Sequence, residues 1–249
     1  MNNAQIASSA VIHPDATIGP DVSIGEFSIV HNRVQLGAGA RVESHCVLGR
    51  PTDLAREDGA LILGDGAYIR SHSVFYQGSQ FGAGLVTGHR VTVREGMTVG
   101  IDCQLGTLCD LQGDCQFGDH VRLHSSVHVG KHSTLGDFVW LYPYVVLTND
   151  PHPPSEDDNR GPTIGDFAVV ATMSTILPRV TVGVHSLVGA HSLVRHDVAP
   201  HTVVGGVPAR ELGDLSRIKL DSGEPAYPWP RHFRRGYPPE ATNAWSERF

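Results

Sequence analysis

Two stretches of this 249-residue chain gather the side chains that move protons and steer polar substrates. One is TNDPHPPSEDDNRGP, Thr148 to Pro162, dense in His, Asp, Asn and Arg. The other is HVRLHSSVHVGKHSTLGDF, which carries His120, His124, His128 and His132. The chain has 15 histidines, and histidine is the side chain whose ordinary pKa lies beside neutrality. A positioned histidine that takes a proton from an amine or a hydroxyl contributes about 10² to 10⁴ in rate. No G-x-S-x-G nucleophile elbow occurs, so direct attack by a bound acceptor is simpler than a covalent enzyme intermediate.

The elements that must hold these side chains show in a six-residue period. An aliphatic or small apolar residue falls at Ile12, Ile18, Ile24, Val30, Leu36, Val42 and Leu48, and the phase then lapses until Leu63. From Leu63 it runs unbroken to Leu147, stops across the Thr148–Pro162 stretch, and resumes from Ile164 to Val194. Blocks of seven, fifteen and six make twenty-eight hexapeptides. A period of six fits neither a helix nor a flat strand. It fits a triangular coil of three short strands, 18 residues a turn, with the aliphatic residue inward and the following glycine relieving a corner of positive φ. About nine coils are expected, roughly 45 Å of prism at ~4.8 Å per coil. Cys103, Cys109 and Cys115 take the fifth position of successive hexads, which predicts small core residues rather than a metal site. Both breaks in phase leave the same prism edge, five coils or about 24 Å apart. Residues 1–198 thus read as the prism, with loops at 49–62 and 148–163. Residues 199–249 read as a turn, a short helix in DLSRIKLDS, and a Pro/aromatic tail that lies on the prism, lies on a neighbour, or is partly disordered.

A net charge of −7 argues against nucleic acid or an anionic membrane surface as partner. No apolar run is long enough to span a bilayer, and the first residues carry neither a basic nor an apolar segment. A cytoplasmic protein with reduced thiols is the expectation.

The repeat, with TNDPHPPSEDDNRGPTIGDFAVV and STILPRVTVGVHSLVGAHSLVRHDVAPHTVVGGVPAREL, resembles the hexapeptide-repeat acyltransferases. The resemblance implies an all-β, left-handed parallel β-helix and a homotrimer with the active site between two prisms. It implies transfer of an acyl group, most simply acetyl, from coenzyme A to an amine or hydroxyl, with no metal. TND followed by Pro is similar to the nucleotide-sugar N-acetyltransferases, whereas HP and the downstream Arg160 are similar to galactoside- and maltose-type O-acetyltransferases. The acceptor expected is therefore the amine of a sugar, nucleotide-linked; a sugar or antibiotic hydroxyl is the alternative.

Within that resemblance His152 matches the family histidine, and Asn149 and Asp150 would orient acceptor or base. Asn-Asp-Pro is equally a natural turn. The second stretch is similar to the catalytic strand of the sugar-acyltransferase branch, a register that puts Lys131 at the base position and His132 one residue late. His128 and His132 are therefore further candidates for catalysis, and His124, His89 and Arg160 for the acceptor. His89, His124 and His128 are expected to face outward on one face of the prism, where packing of a trimer interface is the plainer role. The GGVPAR turn implies that Arg210 meets a coenzyme A phosphate, with Arg179 and Arg195 as further contacts and Ser174 and Ala190 along the pantetheine arm.

Two other classes use or inherit the same prism. A γ-type carbonic anhydrase holds Zn²⁺ on histidines five apart with a third 36 upstream. Here His124 and His128 are four apart, and His89 lies 35 before His124. A scaffold that has lost its site is the other; the intact loop and GGVPAR turn argue against it.

Overall fold

The computed structural model describes residues 3–52, 59–155 and 159–245. Each of the twenty-eight repeat positions read from the sequence lies in a short strand, from Val11–Ile12 to Leu193–Val194, and all but Leu48 and Phe75 close theirs. Strands 18 residues apart pair in parallel, as Asp110↔His128 and His128↔Val146 do on one face. The coil buries Leu, Ile, Val and Phe along its axis and sends the alternate residue of each strand outward.

Three sheets form the three walls. The first face runs from Gln5–Ile6 to Thr202–Gly205 and closes with the antiparallel strand Arg210–Asp214. The second face has ten strands, from Val11–Ile12 to Leu193–Val194, and the third has nine, from Thr17–Ile18 to Thr181–Val182. The prism is longer than the nine coils expected, because Gln5–Ile6 and Thr202–Gly205 extend the first face at its two ends. Both loops leave the second face, after Val47–Arg50 and after Val146–Leu147, and enter the third at Leu61–Leu63 and Thr163–Ile164. They share one edge, as the phase of the repeat requires. Residues 53–58 and 156–158 of those loops lie outside the described residues.

The corners differ from the sequence reading in an instructive way. The glycine after the aliphatic residue was assigned a positive φ, yet positive φ falls mostly on non-glycine residues such as Phe27, His45, His120, Phe138 and Tyr144. What the repeat glycine supplies is clearance. A Cβ on Gly25 would lie 2.7 Å from the backbone N of Ser44, and one on Gly165 2.8 Å from that of Val184. The left-handed corner residues then stack from coil to coil: His120, Phe138, Phe167, His185 and His201 form a ladder with ring centroids 4.6 to 5.1 Å apart.

Cys46, Cys103, Cys109 and Cys115 are buried and free, their thiols pushed up to between about 11 and about 12 chiefly by burial. They are core residues, as their hexad position predicted.

The stretch DLSRIKLDS forms only a 3₁₀ turn, Leu215–Arg217, capped by Asp214. It has one buried apolar residue, Leu215, and so no helical face to bury. The α-helix comes later, at Pro239–Trp245, where Ala241 and Trp245, one turn apart, both face the prism. The tail lies on its own first face. Trp229 Nε1 donates to the Phe167 carbonyl at 3.0 Å, Trp140 Nε1 to Tyr237 Oη at 2.7 Å, and Arg122 to the Gly236 carbonyl at 3.0 Å. Phe138, Phe167, Trp229, Tyr237 and Trp245 make a second hydrophobic cluster outside the prism.

Candidate active site

Residues one coil apart on a parallel wall stand directly above one another, so the outward side chains at i and i+18 touch. On the second face this puts Asp110 under His128, with Oδ2 3.0 Å from Nδ1. An ionised carboxylate only accepts, so Nδ1 is the donor, and in the neutral ring Nε2 is then the nitrogen with the free lone pair. His128 is 39% exposed and its open nitrogen can meet a substrate. Gln112 Nε2 donates to the same Asp110 oxygen at 2.7 Å. The hydrogen bond from His128 leads in holding the Asp110 carboxyl below its ordinary value, against the opposing effect of burial. Sequence reasoning missed Asp110, although an acid 18 residues before a histidine was there to be read.

An ionic cluster joins this pair to the loop edge. Glu95 is nearly buried and takes a forked pair of bonds from Arg94 at 2.9 and 3.2 Å. Arg94 lies over the Tyr76 ring at 4.8 Å. Lys131 Nζ is 3.9 Å from Glu95 and 3.5 Å from Asp114. Burial opposes the charge of Glu95, but the Arg94 bonds and the charges of Arg94 and Lys131 outweigh it and hold its carboxyl low. Asn149 reaches the same spot, since a Cβ on Gly130 would lie 2.9 Å from its Oδ1. Lys131 and His132 thus sit at the corner from which the Thr148–Pro162 loop leaves.

Within the loop, Asp150 accepts from the backbone N of His152 at 3.0 Å and from Ser155 N and Oγ at 3.1 and 2.8 Å. The Ser155 hydroxyl leads in lowering the Asp150 carboxyl. Asp150 is spent on shaping its own turn, and His152 is exposed at the loop surface. Arg160, also exposed, accepts through its carbonyl from Arg179 N at 3.2 Å, so the two share the edge above the loop. Arg195 and Arg210 line one cavity of about 190 Å³ near the C-terminal end of the prism. Ala190 is exposed nearby. Ser174 is a core rung instead: fully buried, it donates to the Gly189 carbonyl at 2.9 Å and accepts from Ser192 N at 3.2 Å.

The histidines expected on one face are split between two. His128 is on the second face, whereas His124 ends the first face and stacks on Tyr142 at 4.6 Å; burial lowers its pKa. His89 is further toward the N-terminus, 2.9 Å from Ser71 Oγ and 3.7 Å from Glu43. Both contacts are to Nδ1, so Ser71, His89 and Glu43 do not form a relay of the serine-hydrolase kind. Among the described residues no three His, Cys, Asp or Glu side chains gather as a metal site, and no helix is long and apolar enough to cross a membrane.

The chain matches no protein-family profile. It is 31% identical over 212 residues to the bifunctional protein GlmU of Mycolicibacterium smegmatis, a match covering 84% of this chain and 41% of that one. The GlmU of Mycobacterium bovis is 27% identical over 225 residues, covering 89% of this chain and 43% of the relative. The repeat and these matches are similar to those of the hexapeptide-repeat acyltransferases. The chain spans about two fifths of the length of these curated relatives. Among solved structures, the UDP-N-acetylglucosamine acyltransferase of Arabidopsis superposes with a TM-score of 0.62 at 20% identity, over 84% of this chain and 74% of that one, which shows the shared fold. A hexapeptide-repeat prism of this kind positions outward side chains rigidly, because each is fixed by the coils above and below.

Proposed function

We propose that the protein transfers an acyl group, most simply acetyl, from coenzyme A to the amine of a nucleotide-linked sugar. The observation that carries the reading is the Asp110-held imidazole of His128, its second nitrogen open beside the edge that bears the polar loop. The Arabidopsis acyltransferase is named for UDP-N-acetylglucosamine, which supports a nucleotide-linked sugar as the acceptor.

In this reading His128 Nε2 takes the proton as the acceptor nitrogen attacks the thioester carbonyl. The C–N bond forms, the C–S bond breaks, and the coenzyme A sulfur leaves to take up a proton. Asp110 fixes the imidazole and stabilises the imidazolium that forms. Lys131 and Asn149 flank the pair and position the acceptor. Arg179, Arg195 and Arg210 lie toward the C-terminal end of the prism and suit the coenzyme A phosphates. His152 closes over the site from the loop. A homotrimer in the cytoplasm, with a neighbour walling the groove, completes the proposal.

The test is calorimetric titration with acetyl-CoA followed by turnover on a panel of amino-sugar nucleotides, for the wild type, His128→Ala and His152→Ala. Binding by all three with loss of turnover in His128→Ala alone supports the reading. Absence of acetyl-CoA binding in the wild type ends it.

A further inference from the structure

All three tryptophans of the chain stand where the tail crosses the first face. Trp245 is buried behind the others. Trp140 and Trp229 line a cavity of about 150 Å³ together with Tyr142, Val169, Tyr227 and Phe233. Both indoles have their N–H groups bound, Trp140 to Tyr237 and Trp229 to Phe167, so the walls are set before any guest arrives. Trp140 meets Trp229 at 6.1 Å and 79°, and Phe233 at 5.4 Å and 86°. A corner built this way offers a flat ring one face to stack on and ring edges around it. Tyr142 and Phe233 remain 37% and 40% exposed, aromatic surface that the core does not use.

Beyond Trp140 lies a second cavity of about 280 Å³, bordered by Gln104, Arg122, His124 and Ser125. Among the described residues lining the two cavities, the one formal charge is the Arg122 guanidinium, which is 4% exposed and already paired with Asp102 at 2.7 Å. A neutral flat ring with a polar extension suits this pair of cavities, where Gln104, His124 and Ser125 offer hydrogen-bonding groups beyond the aromatic walls.

We infer that the aromatic slot binds the base of a nucleoside diphosphate, the nucleotide end of the acceptor. The inference rests on the proposed acceptor being nucleotide-linked. Trp140 stands six residues before Val146, which lies in register above His128. At ~3.3 Å per residue the path around that corner is at most about 20 Å, an order of length that a ribose and a diphosphate span.

Tryptophan fluorescence of the full chain, titrated with uridine, thymidine, cytidine, guanosine and adenosine diphosphates, reads the slot directly. Saturable quenching by one of them is expected. Phe233→Ala and Tyr142→Ala should each weaken its Kd by roughly 5- to 150-fold, the equivalent of about 1–3 kcal/mol for stacking a base on an aromatic ring. They should raise KM for the sugar nucleotide and leave KM for acetyl-CoA unchanged. Two separately exposed side chains keep the test open if one variant folds poorly. Silence toward every nucleotide, with acetyl-CoA binding and acyl transfer intact, overturns the slot and spares the transferase. Quenching by adenosine 3′,5′-bisphosphate alone gives the slot to the cofactor and also overturns the inference. Nucleotide quenching without any acetyl-CoA binding leaves the slot standing and removes the transferase.

Discussion

Two histidine–aspartate pairs in this molecule share one spacing and differ in everything else. Asp110 and His128 are 18 residues apart and 3.0 Å apart; Asp102 and His120 are 18 residues apart and 2.8 Å apart. The first pair is on an open wall, with His128 at 39% exposure. The second sits at the edge between the third and first faces under the tail, His120 stacked on Phe138 at 4.6 Å and Asp102 also held by Arg122 at 2.7 Å. The coil creates the contact in both cases. What covers it separates an open imidazole from a buried clasp.

The sharpest way to break this comparison is to remove each histidine's function in turn. His128→Ala should lower kcat by about 10² to 10⁴ with little change in melting temperature. Asp110→Asn should follow in the same direction, because an amide nitrogen turned toward Nδ1 favours the wrong tautomer. Steady-state kinetics beside a thermal melt checks both. Loss of stability without loss of turnover would move His128 into the class of His120.

The buried pair predicts the opposite division. Arg122 is 4% exposed, binds Asp102 and the Gly236 carbonyl, and lies 4.4 Å from the Tyr237 ring. Arg122→Met leaves the Asp102 carboxylate partly buried without its guanidinium and releases the tail. Breaking a buried ion pair costs about 3–5 kcal/mol, and exposure of Asp102 places this one toward the lower end. Denaturant melts should show the loss, and limited proteolysis should cut the tail first.

A smaller effect separates the pairs by pH. Burial works against the charge of Asp102, yet hydrogen bonds from His120 and Arg122 outweigh it and leave the carboxyl below its ordinary value. A lowered folded-state pKa means stability that is fully present above the unfolded value of about 3.9 and lost as pH falls through the folded value. Wild type should therefore exceed Asp102→Asn in melting temperature at neutral pH, and the gap should narrow below about pH 4. A gap that is constant down to pH 2 would show that the charge of Asp102 is not what holds the tail.

The sequence made the prism legible because every six-residue position is a local statement, repeated twenty-eight times. The shared edge of the two loops and the inert cysteines came from the same counting. The Asp110–His128 pair was harder. The sequence reading set His89, His124 and His128 on one face of the prism, whereas in this coil the neighbour of residue 128 is residue 110. Reading each candidate against i−18 would have paired Asp110 with His128, Asp102 with His120 and Ser71 with His89. The tail's seat on the prism was one of three alternatives the sequence left open, and its anchors were not legible. Its anchors span 62, 97 and 114 residues in sequence, with no period to announce them. The glycines were placed correctly and explained wrongly, since a period shows where a small residue recurs and not whether sterics or φ demands it.

The smallest expected effect concerns the loop histidine, His152. His152 is exposed, and the hydrogen bond that Asp150 accepts is from its backbone N–H rather than its ring. The turn would therefore survive His152→Ala, and a surface change of this kind costs within about 0.5 kcal/mol of stability. If His128 is the base, turnover should stay within about twofold of wild type, the rate equivalent of the same 0.5 kcal/mol. Ser155→Ala gives the contrasting case, because it removes a hydroxyl from the carboxylate that shapes the loop. It should raise KM more than it lowers kcat. A fall of a hundredfold in kcat for His152→Ala would return the base to the loop and make the Asp110–His128 pair a second clasp.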